Sequence, residues 1–452
     1  MAITRRQFVT RLGALAATVG FSQADVSMIS EAFAGNTTDL GGTLKKPRVI
    51  WIHGAECTGC STSLLGILED ANGLPFKASG DNATTTGAAL GLAKVTDAVG
   101  GAFPTLKGAT RTALYGNGTS PLYGSTSDEF VNIADVVIDV IDLQYHETVM
   151  SMGADIAAKW LQDFIVAGGA GGADGATDLP FVLVIEGAMQ DKREGGAWSE
   201  TNTDTSWCSI GMSAAGDVEH DMAGTVAKLA ALTNCALVIP IGQCACYGGY
   251  PGCKPQISSA EAGFNATISQ TGAKGAYDFL NEYTDTNATF QAFVNGAKDK
   301  VVAVPGCPTN PWWFVLTVVM ALVDIVNPSH PLGVLGAGGL PDANAVDYGR
   351  RLKKVYPIAV HSIYCPRFKY WGKQVFAAKP GDPGCLRNLG CKGLSTSSLC
   401  GSHGWNNQQP DNAGSLAYLN GGRGGHCTAA GHPCMGCTEK GYPDSFVPFV
   451  KR

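Results

Sequence analysis

Charge is scarce in this chain. Asp, Glu, Lys and Arg make up 15% of its 452 residues, against a usual ~25%. What charge there is carries no positive excess: the net charge is −6 and the pI about 5.8. That balance argues against nucleic acid or an anionic membrane as the main partner. Long apolar runs are missing too. The best candidate, WWFVLTVVMALVDIV (312–326), has Asp324 inside it and falls short of the ~18 residues of a membrane span, so a buried helix is expected. No apolar tail precedes Arg452, and no transmembrane helix of the chain's own is expected. Glycine, in contrast, is plentiful at 59 residues, and there are 15 cysteines. A large, glycine-rich, charge-poor chain implies extensive buried surface, part of it of the kind another subunit covers. The length allows two or three domains.

The N-terminus has its own organisation. Thr4-Arg5-Arg6-Gln7-Phe8 is a twin-arginine pattern, a modest apolar stretch runs from Leu12 to Phe21, and Ala32-Phe33-Ala34 is an A-x-A cleavage site. Their order predicts a twin-arginine signal peptide over residues 1–34 and a periplasmic protein. An exported chain with this many cysteines would ordinarily be a disulfide scaffold. Here the length needs no staples and the cysteines fall in metal-like spacings. The twin-arginine route carries folded proteins, so a metal centre can be assembled in the reducing cytoplasm before export.

Four apolar runs have the character of buried parallel strands: RVIWIHG (48–54), FVLVIEG (181–187), CALVIPIG (235–242) and KVVAVPG (300–306). IADVVIDVIDL (133–143) is a fifth. Between them lie helix-period segments, HETVMSMGADIAAKWLQDFIVAG (146–168) and HDMAGTVAKLAALTN (220–234). The alternation predicts a doubly wound α/β domain. Cys57 and Cys60 follow the first run, Cys244 follows VIPIG and Cys307 follows VVAVPG. All four therefore fall just past the carboxyl ends of strands, the edge at which open α/β sheets bind ligands. Four thiolates gathered there make an all-cysteine, four-ligand centre. Residues 71–130, rich in Gly, Thr and Ala, form an insertion with little periodicity of its own. Beyond about residue 330, Gly, Pro, Ser and Cys dominate, and metal centres are expected to organise the segment.

That later segment holds His361, Cys365, Cys385, Cys391, Cys400, Cys427, Cys434 and Cys437. With the earlier four cysteines they divide into three sets of four. Zinc and iron–sulfur are the two serious readings of so many thiolates. Zinc sites come as compact C-x2-C pairs about 15 residues apart. Here 183 residues separate Cys60 from Cys244 and 62 separate Cys244 from Cys307, which suits iron–sulfur clusters better. Three clusters in one chain make an electron path.

The motifs GAECTGCSTSLL, LQYHETVM, LVIEGAM, GQCACYGG, VPGCPTNP, CLRNLGCKG and AGHPCMGC occur in this order. Together they resemble the small subunit of nickel–iron hydrogenases, from about residue 47 to 449 with interruptions. CTGCSTSLL and the cysteine at 427 lean toward the nickel–iron–selenium branch. The resemblance implies a flavodoxin-like doubly wound α/β domain over 47–330, followed by an irregular, cluster-organised iron–sulfur domain over 331–452. It implies that Cys57, Cys60, Cys244 and Cys307 hold a proximal 4Fe–4S cluster, and that His361, Cys365, Cys385 and Cys391 hold a distal one. Cys400, Cys434 and Cys437 would hold the medial cluster. Seven residues before Cys434 the common pattern W-P-x-x-A-G-H-P-C has proline, where this chain has Cys427. A thiolate at that corner turns an expected 3Fe–4S cluster into 4Fe–4S.

Three departures or absences refine the resemblance. The family's distal His-x2-Cys is His-x3-Cys here (HSIYC, 361–365). The extra cysteines of oxygen-tolerant enzymes would fall at Gly59 and Gly249, so a six-cysteine proximal cluster is not expected. The large-subunit nickel patterns C-x2-C-x3-H and C-x2-C-x2-H are absent after Cys60 and Cys437, so no nickel ligand is expected in this chain. Glu56, beside the proximal pair, reads as a hydrogen-bonded interface carboxylate or, more sharply, as part of a proton or water path. The expected partners are a hydrogenase large subunit and an acceptor such as a c-type cytochrome or a membrane-bound carrier. The rival reading is the iron–sulfur subunit of a non-hydrogenase redox complex. A related fold in respiratory complex I shares only the proximal-type site.

Overall fold

The computed structural model describes residues 48–65, 68–69, 131–132, 141–168, 180–190, 208–212, 219–252, 271–326, 334–336, 339–362, 365–405 and 426–443. The signal segment 1–34, the insertion 71–130 and Cys253 lie outside them.

The apolar runs become strands because both their faces can be buried. Strands β1 (Arg48–His53), β2 (Asp142–His146), β3 (Phe181–Glu186) and β4 (Cys235–Ile241) form one parallel sheet in the order β2-β1-β3-β4. Every residue of β1 and β3 is buried. Side chains alternate between faces along a strand. Val49, Trp51, Val182 and Val184 accordingly enter one core with Trp312, Trp313 and Leu316, while Ile50, Ile52, Leu183 and Ile185 enter the other with Leu161 and Val226. Beyond β4 the chain returns once more, but not as a full ladder strand. Val301 and Val304 make single parallel bridges to Val238 and Ile241, and the Val302 and Val304 N–H groups donate to Val238 and Pro240 carbonyls. With that fifth segment the order is 2-1-3-4-5, the flavodoxin-like doubly wound arrangement.

Helices cover both faces: α1 (Gly59–Leu65), α2 (Ala154–Val166), α3 (Met222–Ala231), α4 (Gly242–Tyr247), α5 (Ala276–Glu282), α6 (Ala288–Ala297) and α7 (Pro311–Val326). Asp221 caps α3 by accepting from the Gly224 N–H, a contact typically worth about 1 kcal/mol. Helix α7 is the run expected to be buried. Its Asp324 is tolerated inside because the carboxylate accepts the Val334 and Leu335 N–H groups at 2.7 and 2.8 Å. Among the described residues no helix is long and apolar enough to cross a membrane.

Two boundaries differ from the sequence reading. The strand expected over 133–143 is seen at Asp142–His146, with 133–140 outside the described residues. The helix expected from residue 146 starts at Ala154. His146 instead anchors a turn, its carbonyl accepting the Val149 and Met150 N–H groups. After α7 the described residues form short helices, among them Phe368–Gly372 and Cys400–His403, with turns and isolated β-bridges between.

Candidate metal centres

The first thiol group is built at the carboxyl edge of the sheet. Cys57 and Cys60 stand at the entry to α1, Cys244 lies in α4, and Cys307 follows the bridged segment. At Gly242, φ is +81°, and a Cβ there would lie 2.4 Å from the Cys60 Sγ. Only glycine lets the chain turn from β4 into α4 against that thiol. Gly59 and Gly249 also stand against this group: added Cβ atoms would meet the Cys57 and Cys244 sulfurs at 3.0 and 2.8 Å. Burial, then the charge of Glu186, push the Cys60 thiol far above its ordinary value, with Cys307 and Cys244 adding to the shift. Cys244 is pushed up to about 12, by burial first and then by Cys307 and Cys57. Burial and Cys57 raise Cys307. Cys57, Cys244 and Cys307 thus oppose ionisation of thiols beside them. Cys57 itself is exposed, so the group opens onto the surface.

Behind it lies a buried carboxylate. Glu186, at the end of β3, is 2% exposed and accepts the Cys60 and Ser61 N–H groups at 3.0 and 3.1 Å and the Trp51 indole N–H at 3.1 Å. The Ser61 hydroxyl donates to it at 2.5 Å. His146 completes the chain. Its Nδ1 accepts the Thr148 N–H, which fixes the neutral tautomer with the proton on Nε2, 3.2 Å from Ser61 Oγ. Burial and the nearby His53 hold the His146 pKa down at about 3. Glu56 is hydrogen-bonded to His53 Nδ1 and the Thr58 hydroxyl, both at 3.1 Å. Burial alone would lower the His53 pKa, but the bond to Glu56 and the carboxylates of Glu186 and Glu147 raise it.

The second group is Cys400, Cys427, Cys434 and Cys437, which line one cavity together with His426. Burial drives Cys434 and Cys437 far up, and each also feels Cys400 and Cys427. Cys400 is pushed up to about 12, mainly by burial and against the Ser398 hydroxyl bond, with Cys427 adding to the rise. The third group contains Cys365, Cys385 and Cys391. Burial raises Cys365 and Cys391, and Cys385 adds to both. His361 joins this group through Gly393, which accepts the His361 N–H at 2.8 Å and packs near both the His361 Cβ and the Cys391 Sγ. Its ring lies between Phe368 and Trp371, centroids 5.2 and 5.0 Å away. Burial, then Arg387, lower its pKa, favouring the neutral imidazole that ligates metals.

The remaining described cysteines, Cys208, Cys235 and Cys246, pack against the core. Cys235 and Cys246 are buried, with Sγ atoms on the Leu237 and Pro240 carbonyls. Cys208 is half-buried against the His53 carbonyl. Among the described residues no three or more His, Cys, Asp or Glu side chains converge tightly enough to chelate one metal ion. Clustered, buried thiols that oppose one another's ionisation fit a polynuclear cationic group, which would reverse those shifts by binding thiolates.

Sequence reasoning missed the polar clamps between these groups. Gln243, in the GQC turn, donates to the Glu439 and Tyr442 carbonyls at 3.0 and 3.2 Å, tying the first thiol segment to the second. Arg351 donates to the Thr438 carbonyl and to the Glu439 carboxylate at 2.7 and 2.8 Å. The one available signal was Glu186, a lone charge closing an apolar strand.

Two family profiles match. One describes the C-terminal part of the NiFe/NiFeSe hydrogenase small subunit and matches residues 356–450. The other, NADH ubiquinone oxidoreductase, 20 Kd subunit, matches 125–321. The periplasmic [NiFeSe] hydrogenase small subunit of Desulfomicrobium baculatum is 25% identical, with 99% of each chain aligned. The periplasmic [NiFe] hydrogenase small subunit of Solidesulfovibrio fructosivorans is also 25% identical, covering 100% of this chain and 93% of that one. A [NiFeSe] hydrogenase structure from Desulfovibrio vulgaris Hildenborough superposes with a TM-score of 0.55 at 26% identity, covering 91% of this chain and 99% of that one. Over nearly its whole length the chain is thus similar to the small subunits of nickel–iron and nickel–iron–selenium hydrogenases, and residues 356–450 match the C-terminal part of that subunit.

Proposed function

We propose that the chain carries electrons from dihydrogen oxidation on a large subunit, through three iron–sulfur sites, to a periplasmic acceptor such as a c-type or membrane-bound cytochrome. Cys57, Cys60, Cys244 and Cys307 would hold the proximal 4Fe–4S cluster. Cys400, Cys427, Cys434 and Cys437 would hold the medial one, and His361, Cys365, Cys385 and Cys391 the distal one. Clusters bound there supply one-electron transfer.

The observation that carries this reading is the serial order of the three thiol groups. Cys437 of the second group feels the charge of Cys307 in the first, and Cys434 of the second lies against Cys391 of the third. The protein's own part is structural. Glu186 holds the turn bearing Cys60, Gln243 fixes the spacing of the first two sites, and the neutral His361 is available as a ligand. The exposed Cys57 edge would face the nickel-bearing subunit. Export by the twin-arginine route is supported by residues 4–8 and by the periplasmic naming of both relatives.

The complex purified with its large subunit should contain roughly twelve irons and twelve acid-labile sulfides per small subunit. It should also catalyse H2/D2 exchange. Clusters without exchange would favour the rival, an electron-transfer subunit of a non-hydrogenase complex, which the match to the 20 Kd oxidoreductase subunit keeps in view.

A further inference from the structure

The segment that carries the third thiol group is nearly all of one charge sign. Residues 356–405 contain six Lys and Arg and a single acidic residue, Asp382, in a chain of net charge −6. Lys369, Lys373, Lys379 and Arg387 are exposed. Among the described residues none of these four is in an ion pair. The Asp382 carboxylate turns to the backbone and accepts the Lys379 N–H at 3.2 Å.

Two of these cations stand at aromatic rings, one of them beside His361, and Lys373 and Lys379 follow on the same segment. Arg387 lies 4.5 Å over the Trp371 ring, and Trp371 meets His361 edge to face. Lys369 lies 5.2 Å from the Tyr370 ring centre. Apolar side chains are exposed on the same segments: Phe368 at 38%, Val375 at 44% and Leu394 at 49%. Leu394 follows Gly393, the residue that bonds the His361 backbone. An apolar centre with a charged rim is the anatomy of a transient protein interface.

We propose that this face docks the electron acceptor, and that the acceptor is a redox protein presenting an acidic surface. The inference rests on the hydrogenase reading above. Uncompensated positive charge at the exit steers an acidic partner into contact and repels a basic one. The Phe368–Leu394 centre then excludes water beside the His361 site. The opposite end of the path, where Cys57 is exposed, is the end expected against the large subunit.

The test uses the intact heterodimer and one haem protein in two charge states: a basic c-type cytochrome, and the same protein after succinylation turns its lysines into carboxylates. At low ionic strength the acidic form should be reduced by H2 at least about tenfold faster. The difference should shrink at about 0.5 M salt. Lys369→Glu combined with Lys373→Glu and Lys379→Glu should reverse the preference and leave H2/D2 exchange unchanged. Faster reduction of the basic form, or salt-independent rates with both, would overturn the proposal. So would two further results in the triple variant: release of the large subunit on size exclusion, or lost binding to anionic phospholipid vesicles with unchanged acceptor kinetics. Absent exchange in the wild type would sink the hydrogenase reading instead. The charge comparison would then be run on the dithionite-reduced complex and would still decide the docking proposal.

Discussion

The backbone N–H of Cys434 donates to the Sγ of Cys391 across 3.3 Å. The return contact runs the other way along the chain, the Lys392 N–H donating to the Cys434 carbonyl at 2.9 Å. Residues of the second and third thiol groups therefore share a wall. An N–H aimed at sulfur favours the thiolate, so the contact suits two adjacent sites that both bind metal. With the first group coupled to the second, the third stands at the end of the proposed series, and His361 is its proposed fourth ligand.

That terminal position gives a prediction. Removing the imidazole should slow transfer out of the protein and spare chemistry at the nickel subunit. In His361→Ala, reduction of an external protein acceptor should fall by 10–100-fold, the scale seen when support for a metal ligand is lost. H2/D2 exchange should stay within about twofold. Equal losses in both assays would mean that His361 serves packing between Phe368 and Trp371 rather than the distal site.

His146 gives a pH dependence whose sign is fixed by its tautomer. Its pKa is held at about 3 in the fold, below its ordinary value of 6.5. Between those limits the unfolded chain takes up a proton that the folded chain does not, so stability falls as pH drops from 6.5 toward 3. Protonation would put a donor on Nδ1 against the Thr148 N–H and break the contact. The heterodimer should therefore lose thermal stability between pH 7 and pH 5, and His146→Gln should flatten that slope while lowering stability at pH 7. A variant with the wild-type slope would remove His146 from the account.

The sheet was legible because its strands are continuous β-branched runs, buried on both faces, as Val49–Ile52 and Val182–Ile185 are. The positions of Cys57, Cys60, Cys244 and Cys307 followed from strand ends. Local patterning could not show that His146 would hold a turn and delay α2 to Ala154, because that depends on Ser61 and Glu186, distant in sequence. The 300–306 run looked like a full strand, yet it meets β4 at only two single bridges, with a third from Ala303 to Arg351. The partition of the later cysteines was not readable from spacing. Any such partition depends on where turns cross, as at Arg367, whose guanidinium collects the Thr428, Asp382 and Gly384 carbonyls, and the sequence offered one only as an implication of the family resemblance.

The nuclearity of the proposed medial site turns on Cys427. A glycine-rich stretch precedes it, and a loose loop could swing the thiol away. The structure argues for a fixed one. His426, Thr428 and Ala429 are all at most 4% exposed. The Thr428 carbonyl accepts from Arg367 at 2.7 Å, and the Cys427 carbonyl accepts the His432 N–H at 2.9 Å. Burial raises the Cys427 thiol, while the Met435 N–H, next to Cys434, bonds it and favours the thiolate. Its side chain lines the same cavity as Cys400, Cys434 and Cys437. Four thiolates around one cavity can hold a fourth iron. The oxidised complex should therefore lack a full-strength 3Fe–4S signal in electron paramagnetic resonance. Cys427→Pro should gain that signal and lose roughly one iron per small subunit. A full-strength signal in undamaged wild type, unchanged in the variant, would make Cys427 a bystander.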